Sequence, residues 1–298
     1  MQMEKQLKWP VEGAQADYAN SNQWNQSGSN ICLDFHGDPV AAKLVVYSDG
    51  NHHMALQACC KEFLRLNPQV KDIFYATTPP KVILDATLKG GVLLGNVHLN
   101  ILPHVFISPK NILDKLVAQK QIESHQAFAR SSGNVLLVKK GNPKNITEIG
   151  DLLREDVRLT ISNPDTEAAS YEIYKKTLLD TAREKSLDIS DFEKLIDKEC
   201  DRTVFGESIH HREVPQTIYE DNADVAIVYK HLALRYSRIF PNDFEMVNID
   251  SNVKISTDYH IGLMNDAGEW GEGFVDFMMS EEALAIYKEH GLQAAENS

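Results

Sequence analysis

The sequence predicts an α/β fold in which a parallel sheet carries helices on both faces. Short apolar runs rich in β-branched and aromatic residues recur along the chain, and each leads through a polar turn into helically spaced apolar residues. Alternating strands and helices of these lengths are typical of βαβ units. At 298 residues the chain is long enough for two domains or for one large α/β domain.

The regular pattern begins at Lys43. A strand at 44–47 leads through the turn 48–51 into a helix that stops at Asn67-Pro68. Strands at 72–76 and 104–108 each lead into a helix that starts at proline, a residue favoured in a first helical turn. Later strands are predicted at 134–138, 157–161, 223–229, 244–249 and 259–264. Later helices are predicted at 147–153, from Ala168 to Leu178, as a charged pair within 181–203, and at 208–221, 271–279 and 281–290.

Residues 1–40 are polar and rich in Asn, Gln, Ser and Gly, without a usable period. We expect a poorly ordered leader or a strap over the surface. The first ten residues hold no apolar core of a signal peptide, and no apolar run approaches the roughly 20 residues of a membrane span. Cys32, Cys59, Cys60 and Cys200 fit neither a zinc spacing nor a CxxC motif. A disulfide from Cys32 to Cys59 or Cys60 would suit an oxidising compartment, but four cysteines allow three pairings and the sequence cannot choose among them.

The charge balance argues against several classes of partner. With 30 basic and 43 acidic residues the formal net charge is −13, which disfavours nucleic acid and anionic membranes. A small anion is not excluded, because local dipoles can hold it. The chain has no G-x-S-x-G, G-x-x-x-x-G-K, G-x-G-x-x-G after a strand, or H-E-x-x-H. We therefore expect that the chain is not an enzyme.

The stretch 43–57 is the first candidate site. Its turn would present free backbone N–H groups and the positive end of a helix dipole to an anion. The polar side chains at this turn are Ser48, Asp49, Asn51, His52 and His53. Asn51 can serve as an N-cap, whereas Asp49 would disfavour an anion and favour a metal.

A second polar helix start, 208–213, has a similar composition. Its candidate residues are His210, His211, Arg212 and Glu213. The four histidines of the two turns could donate hydrogen bonds to an oxyanion, ligate a divalent metal with Asp49 or Glu213, or simply cap their helices. Arg212 could bind an anion through two hydrogen bonds or form a structural salt bridge.

Four spaced features resemble type II solute-binding proteins of ABC importers, and the molybdate/tungstate branch in particular. They are F-A-R at 128–130 with N-V-L-L-V at 134–138 and G-N-P at 141–143; I-T-E-I-G-D-L from 146 with V-R-L-T-I-S-N-P at 157–164; D-V-A-I-V-Y at 224–229, with Asn222 where glycine is usual; and F-V-D-F-M-M at 274–279 with S-E-E-A at 280–283 and H-G-L at 290–292. The resemblance spans about residues 43–292.

The resemblance implies two α/β lobes, each a mostly parallel sheet flanked by helices, joined by a hinge of two crossover segments around the ligand. We expect a leader at 1–40, a first lobe at 41–129, a second lobe at 130–240, and a return crossover with the end of the first lobe at 241–298. It also implies ligand groups on strand–helix turns of both lobes. These are Ser48, Thr77 or Thr78, the turn Thr166–Ser170 with Glu167, and Tyr229. Ordinary turn chemistry and, for Tyr229, core packing are the alternatives.

The expected function is therefore capture of a small oxyanion, such as molybdate or tungstate, for an ABC permease. A metal or metal complex held by His52, His53, His210 and His211 is one alternative, and sensing through a membrane receptor is another. No cofactor is expected beyond the bound ligand. We expect a monomer that binds no nucleic acid, located in the periplasm or at the outer face of a membrane, although no export signal is present in this sequence.

Overall fold

The computed structural model describes residues 7–9, 34–94, 97–207 and 210–295. The chain forms two compact units. Lobe 1 comprises residues 11–131 and 257–298, and lobe 2 comprises residues 1–10 and 132–256. The predicted two-lobed α/β class is confirmed, since each lobe is built around its own sheet. Most of the expected leader, Cys32 and Ser208 lie outside the described residues.

The secondary structure follows the alternating order expected from the sequence. The strands in the described residues are β1 (Phe35–His36), β2 (Leu44–Ser48), β3 (Ile73–Thr77), β4 (Val92–Leu94), β5 (Val97–Leu99), β6 (Val105–Pro109), β7 (Gln126–Ser131), β8 (Asn134–Lys139), β9 (Leu159–Ile161), β10 (Thr203–Phe205), β11 (Val225–Tyr229), β12 (Phe244–Asn248), β13 (Asp258–Leu263) and β14 (Leu292–Ala294). The α-helices there are α1 (His53–Leu66), α2 (Pro80–Lys89), α3 (Lys110–Ala118), α4 (Ala168–Glu184), α5 (Ile189–Leu195), α6 (His210–Tyr219), α7 (Lys230–Ile239), α8 (Gly271–Met278) and α9 (Glu281–Glu289).

The sheets are mixed, which corrects the expectation that they are mostly parallel. The lobe 1 sheet has the order β1-β3-β2-β6-β13-β7-β14, and only the β3-β2-β6 part is parallel. The lobe 2 sheet has the order β10-β9-β11-β8-β12, and only the β10-β9-β11 part is parallel. Parallel strands that follow one another in the chain must be joined by a crossover connection. Strand β13 instead enters lobe 1 directly from the lobe 2 segment before it, and it pairs antiparallel with β6 and β7.

The chain changes lobes at 131/132 and at 256/257, whereas the sequence places these boundaries at 129/130 and 240/241. The second difference has a clear cause. Strand β12 pairs antiparallel with β8, and this pairing keeps residues 241–256 in lobe 2. The local pattern around β12 contains no sign of that distant partner.

Helix bounds follow from local signals. Helix α2 begins at Pro80 and ends at Lys89. The positive φ of the following Gly90, 81°, turns the chain so that the N–H of Gly91 donates to the Ala86 carbonyl at 2.8 Å. Helix α5 begins after Asp188, whose side chain accepts from the Ser190 N–H. The charged stretch 181–203 therefore holds the end of α4 and the short α5 rather than two full helices. Among the described residues, no helix is both long and apolar enough to span a membrane.

Apolar side chains cover both faces of the lobe 1 sheet. On one face, Val46 and Ile107 pack with α1, α8 and α9, and on the other Tyr47 and Phe106 pack with α2 and α3. Adjacent residues of β2 thus point to opposite cores, as the two-residue period of a strand requires. This rigid sheet fixes the positions of the polar residues at its carboxyl-end edge.

Candidate functional site

In lobe 1, the three parallel strands end in one row of polar residues. The pairing register places Ser48 of β2 beside Thr77 of β3 and Ile107 of β6. The next position along the chain adds Asp49, whose N–H donates to the Ile107 carbonyl at 3.2 Å, together with Thr78 and Ser108. The carboxyl end of a parallel sheet is the usual ligand-binding edge of α/β folds.

Two hydroxyls of this row carry the strongest signal. Thr78 and Ser108 are fully buried, and within the described residues neither Thr78 Oγ1 nor Ser108 Oγ has a hydrogen-bond partner. Leaving a buried hydroxyl unpaired costs about 1–3 kcal/mol. Both hydroxyls are therefore candidates to donate to a ligand oxygen.

Thr77 has a different role from its neighbour. Its hydroxyl lies 3.3 Å from Asp34 Oδ1 and 2.8 Å from His36 Nε2. These contacts fasten β1 to β3, and the His36 ring stacks on Tyr75 at 4.5 Å. Of the two threonines that the sequence left open, Thr78 is the one whose hydroxyl has no hydrogen-bond partner among the described residues.

The turn after β2 is tightly organised. Asp49 precedes a short 3₁₀ helix, Gly50–His52, and its Oδ1 accepts the Asn51 N–H at 2.9 Å. The predicted N-cap, Asn51, is thus the residue whose N–H is capped, and Asp49 is the cap. All five candidate side chains of this turn are buried: Ser48, Asp49, Asn51, His52 and His53.

The two histidines of this turn both contact groups within lobe 1. His52 Nε2 lies 3.2 Å from Ser48 Oγ, and His52 Nδ1 lies 2.9 Å from the Tyr287 hydroxyl. Burial raises the pKa of Tyr287 well above its ordinary value, so its hydroxyl keeps its proton. His53 Nδ1 donates to the Gly50 carbonyl at 2.5 Å. Both rings therefore help to shape the turn.

Lobe 2 has a comparable edge at the ends of β10, β9 and β11. Thr160 and Ser162, at the end of β9, are buried, and the structure gives their hydroxyl oxygens no partner within its described residues. Asn163 holds the following turn through its Nδ2, which donates to the Gly206 carbonyl at 2.9 Å. Ser162 is a candidate ligand donor of lobe 2.

The three candidate residues at the start of α4 differ in their burial. Glu167 and Ser170 are buried, whereas Thr166 is exposed and belongs to the turn before the helix. The Glu167 N–H donates to the Asn163 carbonyl at 2.8 Å, and its side chain makes no capping hydrogen bond. Ser170 is thus the better candidate of this turn for an anion, because Glu167 carries the wrong charge.

Helix α6 is held in place by a neighbouring helix and by the N-terminal segment. Pro215 lacks an N–H, so the His211 carbonyl four residues earlier needs another donor, which the Tyr236 hydroxyl of α7 supplies at 2.8 Å. The guanidinium of the buried Arg212 lies 4.6 Å from the Trp9 ring centroid. The structure describes the backbone of His210 but not its side chain.

Glu213 and Tyr229 make contacts typical of structural residues. Glu213 Oε2 accepts the Glu207 N–H at 2.6 Å. Tyr229 is buried at the end of β11, where its ring packs edge-on against Tyr174 and stacks on His231, each at 5.2 Å between centroids. The core-packing interpretation of Tyr229 accounts for these contacts.

A family model for bacterial extracellular solute-binding proteins matches residues 44–293. The chain belongs to this family. No curated protein gives a significant match to the chain. Membership confirms the expectation of solute binding rather than catalysis.

Three of the solved structures that share the fold of this solute-binding protein name a ligand in their descriptions. The molybdate-binding protein of Azotobacter vinelandii is 17% identical with a TM-score of 0.61, over 86% of this chain and 100% of that one. The sulfate-binding protein SubI of Mycobacterium tuberculosis is 13% identical with a TM-score of 0.63, over 86% and 88%. L-phospholactate-bound PEB3, a Campylobacter jejuni protein, is 16% identical with a TM-score of 0.60, over 84% and 99%.

Sequence reasoning missed Ser108 and Ser162. Both stand at the end of a strand that the sequence does predict, as Ser48 does. The same signal, a small hydroxyl at the carboxyl end of a strand, could have found them. This signal does not show that β6 pairs with β2 or that β9 pairs with β11.

The metal alternative gains no support from the geometry of His52, because both of its ring nitrogens lie within 3.2 Å of a hydroxyl. Within the described residues, no group of three or more His, Cys, Asp or Glu side chains could hold a metal ion. Cys59, Cys60 and Cys200 are free thiols, which corrects the expectation of a disulfide from Cys32 to one of them.

Proposed function

We propose that this solute-binding protein captures a small inorganic oxyanion of the molybdate or tungstate kind and delivers it to an ABC permease. The observation that carries the proposal is the pair of buried hydroxyls, Thr78 and Ser108, at the carboxyl-end edge of lobe 1. An oxyanion offers only acceptors, and these hydroxyls would act as donors to it. Such charge-assisted hydrogen bonds contribute about 1.5–3 kcal/mol each.

Lobe 2 has a buried cation among its own candidate residues. The net charge of −13 gives no long-range attraction for an anion, so local groups have to supply it. Arg212 is a buried cation at the start of α6, and Ser162 and Ser170 add hydroxyl donors at the β9 and α4 turns. We assign these three residues to the ligand site of lobe 2.

Structural neighbours support the chemical class of the ligand. Two are named for molybdate and sulfate, and a third holds L-phospholactate. All three ligands present several acceptor oxygens around one tetrahedral centre. A monomer, a periplasmic location and a sensory alternative stay predictions from the sequence.

Calorimetric titration with molybdate, tungstate, sulfate and phosphate tests the proposal. We expect saturable binding of molybdate or tungstate at one site per chain. Absence of heat with all four anions would overturn the oxyanion assignment. Elemental analysis of the protein as purified addresses the metal alternative, which predicts bound metal that disappears in a His52→Ala, His211→Ala variant.

A further inference from the structure

The described part of the N-terminal segment packs against helices α6 and α7 of lobe 2. The buried Leu7 donates its N–H to Gln216 Oε1 of α6 at 3.0 Å. The Trp9 ring stands edge-on to Phe240, at 5.3 Å between centroids and 83° between planes, and edge-on to Tyr236 of α7, at 6.2 Å and 78°. These contacts fix both the position and the plane of the indole ring.

Two cations lie over this ring. Arg212 Cζ is 4.6 Å from the ring centroid, and Arg235 Cζ is 5.3 Å from it. The two arginines are only 4% and 5% exposed. Because the face of an aromatic ring is negative, it attracts a guanidinium, and the attraction reaches about 2 kcal/mol when the pair is shielded from water. The Trp9 ring therefore holds two buried positive charges together in lobe 2.

An aromatic partner differs from an acidic one in what it leaves to Arg212. All five N–H donors of a guanidinium lie in its plane. A carboxylate binds at that edge and cancels the charge, whereas a ring attracts the cation through its face and adds no net charge. Contact with Trp9 thus holds the Arg212 guanidinium without using its N–H donors and without neutralising it. A cation held in this way is suited to a ligand that is an anion with several acceptor oxygens.

We propose that Trp9 is a positioning residue of the anion site, whose ring holds the Arg212 guanidinium so that the N–H edge of this group can bind an oxyanion. The inference rests on the proposed function, in which Arg212 contacts the ligand. It adds to the site a residue outside the stretch 44–293 that matches the family model. Arg235 brings a second positive charge to the same ring, which raises the local potential against the net charge of −13.

Fluorine NMR of the protein labelled with fluorotryptophan tests whether the ring senses the ligand. The chain has three tryptophans, and the resonance lost in Trp9→Phe is that of Trp9. We expect this resonance to shift when molybdate saturates the protein, because the anion changes the electric field of the guanidinium over the ring. The resonance of Trp270, a residue of lobe 1, is the internal reference and should stay nearly unchanged.

Molybdate titration of three variants separates positioning from packing. Trp9→Leu removes the aromatic face and should bind molybdate about tenfold more weakly than the parent, whereas Trp9→Phe keeps a ring and should lose about threefold. The matched control is Phe192→Leu, which removes a buried ring of α5 in the same lobe. It should lower the free energy of unfolding and keep the parental affinity.

Equal molybdate affinities of the parent and Trp9→Leu, or a Trp9 resonance that does not respond to molybdate, would overturn the inference. A loss of affinity in Phe192→Leu as large as that in Trp9→Leu would also overturn it, because affinity would then follow the stability of the lobe. A parent that binds no molybdate overturns the proposed function and the inference with it. A parent that binds molybdate without these responses overturns the inference alone.

Discussion

The carboxyl-end edges of the two sheets are made of the same strand–turn–helix units but carry different chemistry. In lobe 1 the buried polar groups at this edge are hydroxyls, two histidines, the Asn51 amide and the Asp49 carboxylate. In lobe 2 hydroxyls again stand at the strand end, and the buried Arg212 lies in the first turn of helix α6. Of the described arginine and lysine residues, the buried ones, Arg212 and Arg235, both belong to lobe 2.

This difference suggests that each lobe is suited to a different kind of contact with an anion. Uncharged hydroxyls act only at hydrogen-bond distance, so lobe 1 is suited to select a ligand by geometry. A buried guanidinium acts over a longer range, so lobe 2 is suited to supply attraction. Burying cations also costs free energy: burial lowers the pKa of Arg235 to about 9, and Trp9 packs against both guanidinium groups.

The largest expected effect is on ligand affinity in lobe 1. The double variant Thr78→Val, Ser108→Ala removes both hydroxyl donors with little change in volume. We expect molybdate affinity to fall at least about 100-fold, because two charge-assisted hydrogen bonds are lost. The unliganded protein should be no less stable, since neither hydroxyl has a partner in the described part of the chain. Calorimetry and denaturant unfolding measure the two quantities.

The matched control for that variant is Thr87→Val. Thr87 is also a buried threonine of lobe 1, but its hydroxyl donates to the Ile83 carbonyl within α2. It should keep parental molybdate affinity. Equal affinities of the control and the double variant would remove lobe 1 hydroxyls from the site and end the contrast between the lobes.

The second prediction concerns the support of the lobe 2 cations. Trp9→Ala removes the ring that packs on Arg212 and Arg235 and edge-on against Phe240 at 5.3 Å. We expect the free energy of unfolding of lobe 2 to fall by about 2 kcal/mol. Amide exchange should accelerate in α6 and α7, and Trp9→Phe should recover much of the loss. Unchanged exchange in both helices would show that the N-terminal segment does not support them.

The third and smallest effect is a pH dependence in lobe 1. His125 Nδ1 lies 2.9 Å from His260 Nδ1, and His125 Nε2 donates to Asp114 at 3.1 Å, so His260 is the donor between two neutral rings. Burial, and next to it His125, lowers the pKa of His260 below its ordinary value near 6.5. The unfolded chain then binds the proton more readily than the folded one. This contribution to stability is complete above pH 6.5 and is lost as the pH falls from there through the lowered pKa.

Amide exchange of β13 between pH 7.5 and 5.5 measures this effect. Lys110 and Asp114 of α3 and Asp258 of β13 also face His260, and all of the proteins compared retain these three residues. We expect the protection of the β13 amides against exchange to decline as the pH falls. This decline should be steeper in the parent and in the control His98→Gln, which changes an exposed histidine, than in His260→Gln. The same pH dependence of amide protection in all three proteins would exclude the pair His125 and His260 as the origin of the effect.

The sequence was sufficient for the parts of the fold that local patterns specify. The strands around Val46 and Ile227 and the proline-started helix at Pro80 lie within a few residues of their predicted bounds. Elements that depend on distant partners were missed. Strands β7, β10 and β14 are short or mixed in pattern, and helix α7 follows Tyr229 without a distinct start signal.

The same limit applies to the candidate site. Ser48, His52 and Thr78 could be nominated as candidates because a turn after a strand is recognisable from residue types alone. Their roles depend on long-range contacts that no local pattern contains: Tyr287 is 235 residues from His52, and Asp34 is 43 residues from Thr77. The sequence could therefore nominate the turn, but it could not separate ligand donors from residues that position them.

A crystal structure of the protein with molybdate or tungstate, phased on the metal's anomalous signal, tests the central claim most directly. We expect the metal centre to have oxygens within hydrogen-bond distance of Thr78 Oγ1 and Ser108 Oγ, with Ser48 Oγ donating to a third. A signal bound directly to a histidine ring nitrogen, or one remote from these three hydroxyls, would contradict the assignment of lobe 1 as the oxyanion-selecting half.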